Sequence, residues 1–460
     1  MVRPWALSAP IAVLLICLPL MRPLRHPASA TISDDEQARL ATIQSLVEQH
    51  TLDIRGSEFR ATRCHIEKPD GHWYSDQSPM MSVLLSGPYW VMYRSGLSFD
   101  RNPVWAEYLL TLFGVTLPIA FAAGLLYRMG RIFELKRPWR AGLALAVVVG
   151  SGWISYATVL SAGAAAAALV VMAAACLVQA TLTSRGAAAL TCMASAGLCA
   201  ALASTYELSA LAFLLLLLLV ISAFGWPTTA RLAGGALYVL GATVPLLLYA
   251  SLNKPITGDL RPGFLHPEFR LQVVDRAADR KAPDPRWLDE EDDPPTRWRI
   301  ALRSAGRFVA AFLGGHGLLT HFPILVMGLV GVSMVMHRHW PATTKVFAGL
   351  TMAGALAIIV GYTAAHGEWK DAMFANRWFL VFLPLTLFWA GAWLRRPHRP
   401  VTWATAGVLL GFSTIVALLG ATDPQPRQGY EQYRYTAAGA WMHLVQPQQP
   451  SGQGEMFADQ

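Results

Sequence analysis

Charged residues near the ends of apolar segments have the side chains needed for chemistry at a membrane surface. Asp34 and Asp35 follow the first apolar segment, and Arg377 begins the tenth. A carboxylate can accept a proton from an attacking hydroxyl group or bind a divalent cation. A guanidinium can bind a phosphate through two parallel hydrogen bonds and stabilise it as it leaves. Lys254, at the end of the seventh segment, could bind phosphate by the same logic.

Each of these residues also has an ordinary structural explanation. Carboxylates in the exposed first turn of a helix interact favourably with the helix dipole. An arginine at a segment end can extend to the lipid headgroups as an anchor. Two observations favour a phosphate role for Arg377: basic residues otherwise favour the opposite segment ends, and a polar group precedes it. That group contains His366, Glu368, Trp369, Lys370, Asp371 and Asn376.

Eleven apolar segments must position these residues. They are 5–21, 104–127, 141–160, 162–182, 187–205, 208–225, 232–251, 319–336, 346–364, 377–394 and 401–420. A helix needs about 20 apolar residues to cross a hydrocarbon core of about 30 Å. Hydrophobic residues make up 54% of the chain and charged residues 14%, with a mean hydropathy of +0.38. The sequence therefore predicts an all-α polytopic membrane protein with about eleven transmembrane helices.

Basic residues orient these segments. They occur in the even-numbered connections, at Arg128, Arg131, Lys136, Arg137 and Arg140, then Arg185, Arg231, Arg338, Lys345, Arg395, Arg396 and Arg399. The positive-inside rule places these connections in the cytoplasm. The long connections 22–103 and 252–318 and the tail 421–460 then face outward. The net charge of +8 follows from this topology and from anionic lipids, so nucleic acid is not an expected partner.

The first apolar segment is interpreted in two ways. Ala28-Ser29-Ala30 resembles a signal-peptide cleavage site, but a long basic stretch containing Arg22 and Arg25 precedes it. We favour a retained anchor. Both interpretations place the connection 22–103 outside. Cys64 is the only cysteine in an outer connection, so no intrachain disulfide can form there, and no spacing resembles a metal site.

Two helices are predicted within 22–103. Ser33 and Glu36 match a capping box, in which Ser33 caps the helix and Glu36 reaches back to the cap N–H. The following helix carries an apolar face that can lie along the membrane surface. That face contains Leu40, Ile43, Leu46 and Val47. The stretch 79–93 is apolar but too short to span, and it is predicted to be a second interfacial helix.

Several segments of the chain occur in the order of the motifs of a known family. They are Ser33-Asp34-Asp35-Glu36, Gly71-His72-Trp73-Tyr74-Ser75 with Pro79, Leu84-Leu85 and Pro88-Tyr89, Asn253 with Gly258, Gly317-Leu318 with Pro323, and Trp369 with Arg377-Trp378. In this order they resemble the GT-C class of membrane glycosyltransferases, specifically the bacterial relatives of the dolichyl-phosphate-mannose protein mannosyltransferases and of the lipid A aminoarabinose transferase. Many relatives carry a lysine in the segment corresponding to Asp76-Gln77-Ser78, and this chain has none there.

The resemblance implies a reaction and roles for these residues. The donor would be a sugar on a polyprenyl phosphate, and the acceptor a hydroxyl group of a protein, a lipid or a glycan. Asp35, with Asp34 second, would be the catalytic base or the ligand of a divalent cation. Arg377 would bind the departing phosphate, with Tyr74 and Lys254 as helpers. The implied location is a bacterial inner membrane, with the site facing the periplasm.

A transporter or lipid flippase is the alternative. Such proteins usually carry ionisable residues near the middle of their spans. Here Glu107 lies near a segment end, and Glu207 lies between the fifth and sixth segments. The long first outer connection also has no explanation in transport. The sequence therefore favours the enzyme.

Overall fold

The computed structural model describes residues 4–25, 32–60, 64–68, 70–183, 186–262, 266, 297–315, 317–365, 374–375, 377–422 and 424. Of the described residues 77% are helical, which is consistent with the predicted polytopic helical membrane protein. The tail beyond Pro424, most of 263–296 and the polar segment 366–373 lie outside the described residues.

The helices up to residue 206 are α1 Pro4–Leu20, α2 Arg22–Arg25, α3 Asp34–Gln44, α4 Pro79–Arg94, α5 Pro103–Thr111, α6 Leu117–Met129, α7 Arg137–Gly150, α8 Ala162–Leu182 and α9 Ala187–Tyr206. The later helices are α10 Leu211–Val220, α11 Thr228–Thr257, α12 Arg297–Leu313, α13 Leu318–His321, α14 Leu325–His337, α15 Ala342–Ala365, α16 Leu383–Phe388, α17 Ala390–Leu394 and α18 Pro400–Thr422. Strands β1 (His65–Glu67) and β2 (Trp73–Ser75) pair antiparallel with Ile66 opposite Tyr74.

Seven helices of the described residues are long and apolar enough to cross a membrane, and eight if one bent pair counts as a span. The seven are Trp5–Leu24, Pro103–Phe133, Ala162–Leu182, Ala187–Tyr206, Thr228–Thr257, Ala342–Thr363 and Pro400–Thr422. The predicted count of eleven is not confirmed, because the four remaining segments form shorter or broken helices. Ser304–His321 and Leu325–His337, for example, meet at 97°, and Pro323 lies at the break.

Small residues let the central spans approach closely. A Cβ atom added to Gly197 on α9 would lie 1.8 Å from the Tyr238 carbonyl oxygen on α11. One added to Gly241 would lie 2.0 Å from the Ala194 carbonyl oxygen. The two helix backbones are therefore in contact, which only glycine permits at these positions. This packing holds the end of α9, and with it Glu207, in a defined place.

The third predicted segment, 141–160, is α-helical only in its first part, and a 3₁₀ turn, Trp153–Tyr156, follows. Helix α7 ends at Gly150, and residues 151–161 form a connection that is buried throughout. Gly152 has a φ of 73°, and an added Cβ would lie 2.1 Å from the Phe322 ring. A side chain at this position would therefore clash, and its backbone conformation favours glycine.

Helices are present at both predicted places in the first outer connection, as α3 and α4. Leu40, Ile43 and Val47 of the predicted apolar face are buried. Most of α3 is buried as well, including Arg39 and Gln44, and only Asp34 and Gln37 are half-buried. Helix α3 is therefore enclosed by protein on most sides, unlike the one-sided surface helix that the sequence predicts. The placement of α4 at headgroup level stays a prediction.

Candidate functional site

The odd-numbered connections meet at one end of the bundle, the end predicted to face outward. Asp35 in the first turn of α3 forms an ion pair with Arg377, 342 positions later in the chain. The guanidinium Nη1 donates to the carboxylate Oδ2. The two residues that the sequence assigned to acid–base and phosphate chemistry are thus in direct contact.

Asp35 is only 8% exposed, which corrects the expectation of an exposed first-turn carboxylate. Its Oδ1 accepts hydrogen bonds from Gln77 Nε2 and from the Cys64 thiol, both at 3.3 Å. Burial alone would raise its pKa, but the charges of Arg377 and then Arg39 outweigh burial and lower it to about 2. Asp35 is therefore a buried, ionised carboxylate whose charge is balanced by arginine.

Arg39 and Gln77 connect the carboxylate to its surroundings. Arg39 Nη2 donates to Gln77 Oε1 at 2.8 Å, and Gln77 Nε2 donates to Asp35. Arg39 follows Asp35 by four residues on α3, so both lie on one helix face. The sequence analysis missed Arg39, although this spacing beside a candidate acid was a signal that could have found it. Gln77 occupies the segment in which many of the resembled relatives carry lysine.

Arg377 keeps hydrogen-bonding capacity for a ligand. It lies in the 3₁₀ turn Arg377–Phe379, and its side chain is 20% exposed. Its guanidinium carbon lies 4.5 Å from the centre of the Trp378 ring. Within the described part of the chain, its buried Nε has no hydrogen-bond partner. A buried donor without a partner is rare and is a natural contact for a bound anion.

Glu36 anchors the first turn of α3. Its carboxylate is fully buried, pairs with Arg22, and accepts a hydrogen bond from the Leu160 backbone N–H at 2.7 Å. Ser33 caps the helix by accepting from the Glu36 N–H at 3.4 Å, and its hydroxyl donates to the Glu36 carboxylate at 3.3 Å. Glu36 thus connects the start of α3 to Arg22 and Leu160, in addition to its contact with the capping residue Ser33.

The buried connection 151–161 joins this anchor to the later part of the chain. Being irregular, it must satisfy its polar groups through other elements. Its bonds to those elements include Ser155 Oγ to the Ala417 carbonyl (2.7 Å), Tyr156 Oη to the Phe374 carbonyl (2.6 Å), Thr158 Oγ1 to the Ala421 carbonyl (2.9 Å) and Leu160 N to Glu36. It therefore fixes the segment near Arg377 relative to α3.

Asp34 is half-buried and lies near the Cys64 thiol. Asp35, and not Asp34, forms the ion pair with Arg377. Tyr74 lies on β2, where the Lys68 ammonium is 5.2 Å from its ring centre. Lys68 also donates to the Pro255 carbonyl, next to the exposed Lys254. The structure thus groups Tyr74 with Lys68 and the end of α11. None of the contacts described for Tyr74 or Lys254 reaches the Asp35–Arg377 pair.

A divalent cation at Asp35 was one of the two predicted roles. Among the described residues, no group of three or more His, Cys, Asp or Glu side chains is placed to hold a metal ion. The segment that carries His366, Glu368 and Asp371 lies outside the described residues. Arg377, already in contact with Asp35, would repel a cation bound there. The choice between a base and a cation ligand at Asp35 therefore stays a prediction.

Neither a family model nor a curated protein matches the sequence. Solved structures of the oligosaccharyltransferase AglB from Archaeoglobus fulgidus do match. The complex with an inhibitory peptide and a dolichol-phosphate has 13% identity and a TM-score of 0.52, over 92% of this chain and 57% of that one. The apo form has 13% identity and a TM-score of 0.53 over the same shares. This chain thus spans a little more than half the length of the AglB chains, and the likeness shows that it shares a fold with them.

Proposed function

We propose that the protein is a membrane glycosyltransferase. It would transfer a sugar from a polyprenyl-phosphate donor to an acceptor hydroxyl group, with inversion at the anomeric carbon. The observation that carries the proposal is the contact between Asp35 and Arg377 inside a GT-C-type fold. A buried acid beside a guanidinium with an unpartnered donor provides a base and a phosphate-binding group in one place. The dolichol-phosphate bound to AglB supports a lipid phosphate as the ligand.

The reaction would begin with exchange of partners at Arg377. The donor phosphate would bind the guanidinium through Nε and a terminal nitrogen and displace Asp35. Asp35 would then be a buried carboxylate without its strongest counter-charge, and its pKa would rise from about 2. A higher pKa makes it a stronger base. Donor binding would thus prepare the base for the acceptor.

The chemical step would follow at the anomeric carbon. The acceptor oxygen would attack from the face opposite the phosphate while its proton passes to Asp35. The bond between the anomeric carbon and the phosphate oxygen would break, and its electron pair would remain on that oxygen. Arg377 would stabilise the additional negative charge on the departing polyprenyl phosphate. Arg39 and Gln77 would hold Asp35 in place during the transfer.

The proposal extends to location and partners. The site would face the periplasm of a bacterial inner membrane, where donor and acceptor could both reach it. The acceptor would be a protein, lipid or glycan hydroxyl group. Tyr74 and Lys254, near Lys68, would contact the donor outside the Asp35–Arg377 pair. Residues 1–420 would form the catalytic domain, and the tail 421–460 would contact the acceptor.

Release of free polyprenyl phosphate tests the proposal. Purified protein in lipid vesicles would receive a polyprenyl-phosphate-linked hexose or pentose, with a membrane extract as the acceptor source. We expect release by the wild type, and a loss of about 10²–10⁴-fold in Asp35→Asn. Asp34→Asn is the matched control and should retain most activity. Movement of the lipid-linked sugar across the vesicle without release would instead establish the transporter alternative.

A further inference from the structure

A second carboxylate lies beside Arg377. Glu207 is in the connection between α9 and α10, with extended backbone, and is half-buried. A Cβ atom added to Gly163 would lie 3.8 Å from Glu207 Oε2 and also 3.8 Å from the Arg377 carbonyl oxygen. The Glu207 carboxylate and the Arg377 backbone therefore border the same small space, which the missing side chain of Gly163 leaves open.

Two aromatic residues connect Glu207 to the Arg377 guanidinium. The Tyr362 hydroxyl donates to Glu207 Oε1 at 3.2 Å. The Tyr362 ring packs on Trp378 with ring centres 5.1 Å apart and an angle of 33° between the planes. Trp378 in turn contacts the guanidinium. Glu207 thus fixes Tyr362, Tyr362 supports Trp378, and Trp378 supports the cation.

The charges of Arg377 and Glu207 influence each other. Burial raises the pKa of Glu207, and the nearby charge of Arg377 is the strongest of the effects that oppose this rise. Arg377 therefore has Asp35 as a direct partner and Glu207 as a second, more distant counter-charge. When a phosphate displaces Asp35, the second counter-charge and the aromatic contacts remain in place.

We propose that Glu207 is a positioning residue that holds Arg377 in its phosphate-binding orientation after Asp35 has been displaced. The inference rests on the proposed function and adds a residue to its donor site. Glu207 acts through Arg377 and does not touch the sugar or the acceptor. Its removal therefore weakens donor binding more than it slows the chemical step.

The test is the donor concentration dependence of polyprenyl phosphate release. Glu207→Gln keeps an oxygen that accepts the Tyr362 hydrogen bond but removes the charge. We expect a donor KM about tenfold higher, the factor that corresponds to 1.4 kcal/mol, with kcat changed much less. Tyr362→Phe keeps the ring but loses the hydroxyl, and it should raise KM in the same direction. Should Glu207→Gln fail to fold, Tyr362→Phe decides the test.

A double substitution separates positioning from a merely structural role. In an Arg377→Lys background, Glu207→Gln should produce little further change in KM, because the group that Glu207 orients is gone. Glu107→Gln is the matched control: this acid lies near Arg22, within 3.7 Å, and its replacement should leave the donor KM unchanged. The inference is overturned if Glu207→Gln leaves the donor KM unchanged. It is also overturned if Glu207→Gln raises the donor KM by the same factor in the Arg377→Lys background as in the wild type. A wild type that releases no polyprenyl phosphate overturns the proposed function instead.

Discussion

Replacing Asp35 with Asn should destabilise the protein as well as stop the reaction, because Asp35 is the direct counter-charge of Arg377. The pKa of Asp35 falls from 3.8 to about 2 in the folded state. At about 1.4 kcal/mol per pKa unit, its surroundings favour the charged form by roughly 2–3 kcal/mol. Since the folded pKa is the lower one, this stability is present above about pH 4 and is lost as the pH falls through about 2.

The assay is an unfolding titration in mixed micelles at pH 7, with Asp35→Asn, Arg377→Met and the double variant. We expect Asp35→Asn to lose about 2–3 kcal/mol, and the two substitutions to couple by more than about 1 kcal/mol. Asp34→Asn is the matched control and should cost no more than about 1 kcal/mol without coupling to Arg377. Additive effects of Asp35→Asn and Arg377→Met would refute the ion pair.

Three further predictions concern the phosphate group, the support of the base and the orientation in the membrane. Arg377→Lys keeps the charge but loses the planar two-point contact, so donor KM should rise clearly; wild-type kinetics would show that Arg377 is only a membrane anchor. Gln77→Ala removes one hydrogen-bond partner from Arg39 and one from Asp35. We expect the free energy of unfolding to fall by about 1–3 kcal/mol and turnover to be slower. Wild-type stability together with wild-type turnover would exclude a bridging role for Gln77. The topology is tested with cysteines introduced at the exposed positions Glu67 and Lys136 and an impermeant thiol reagent applied to spheroplasts. Position 67 should react before lysis and position 136 only after lysis. The reverse order would show that the topology is inverted.

The sequence could predict the membrane class and the location of Asp35 and Arg377 at segment ends. Hydropathy and basic connections depend on local composition, and both signals are strong in a bilayer. The count of eleven spans is not confirmed where helices break. Segment 141–160 is apolar to its end, yet the helix stops at Gly150 because the following residues bond to distant parts of the chain. Hydropathy is similar for a buried helix and a buried irregular connection.

The contacts of the site could not be predicted in the same way. The contact between Asp35 and Arg377 depends on chain elements 342 positions apart, and no local pattern encodes it. The burial of Asp35 follows from the enclosure of α3, whereas the apolar spacing predicted one buried face. Arg39 could have been predicted from its position four residues after Asp35 in a predicted helix. Gln77 and Glu207 depend on tertiary packing, so only the structure brings them to the site.

The buried connection 151–161 has a consequence for the order of assembly during synthesis. Two of its hydroxyl groups, those of Ser155 and Thr158, donate to carbonyls of α18, close to the last described residue. These acceptors leave the ribosome long after the connection itself has been made. The buried connection, which contacts both α3 and the segment next to Arg377, therefore gains these bonds only after α18 has inserted. A chain truncated before α18 should enter the membrane but lack the assembled site, so assembly of the site must wait for α18.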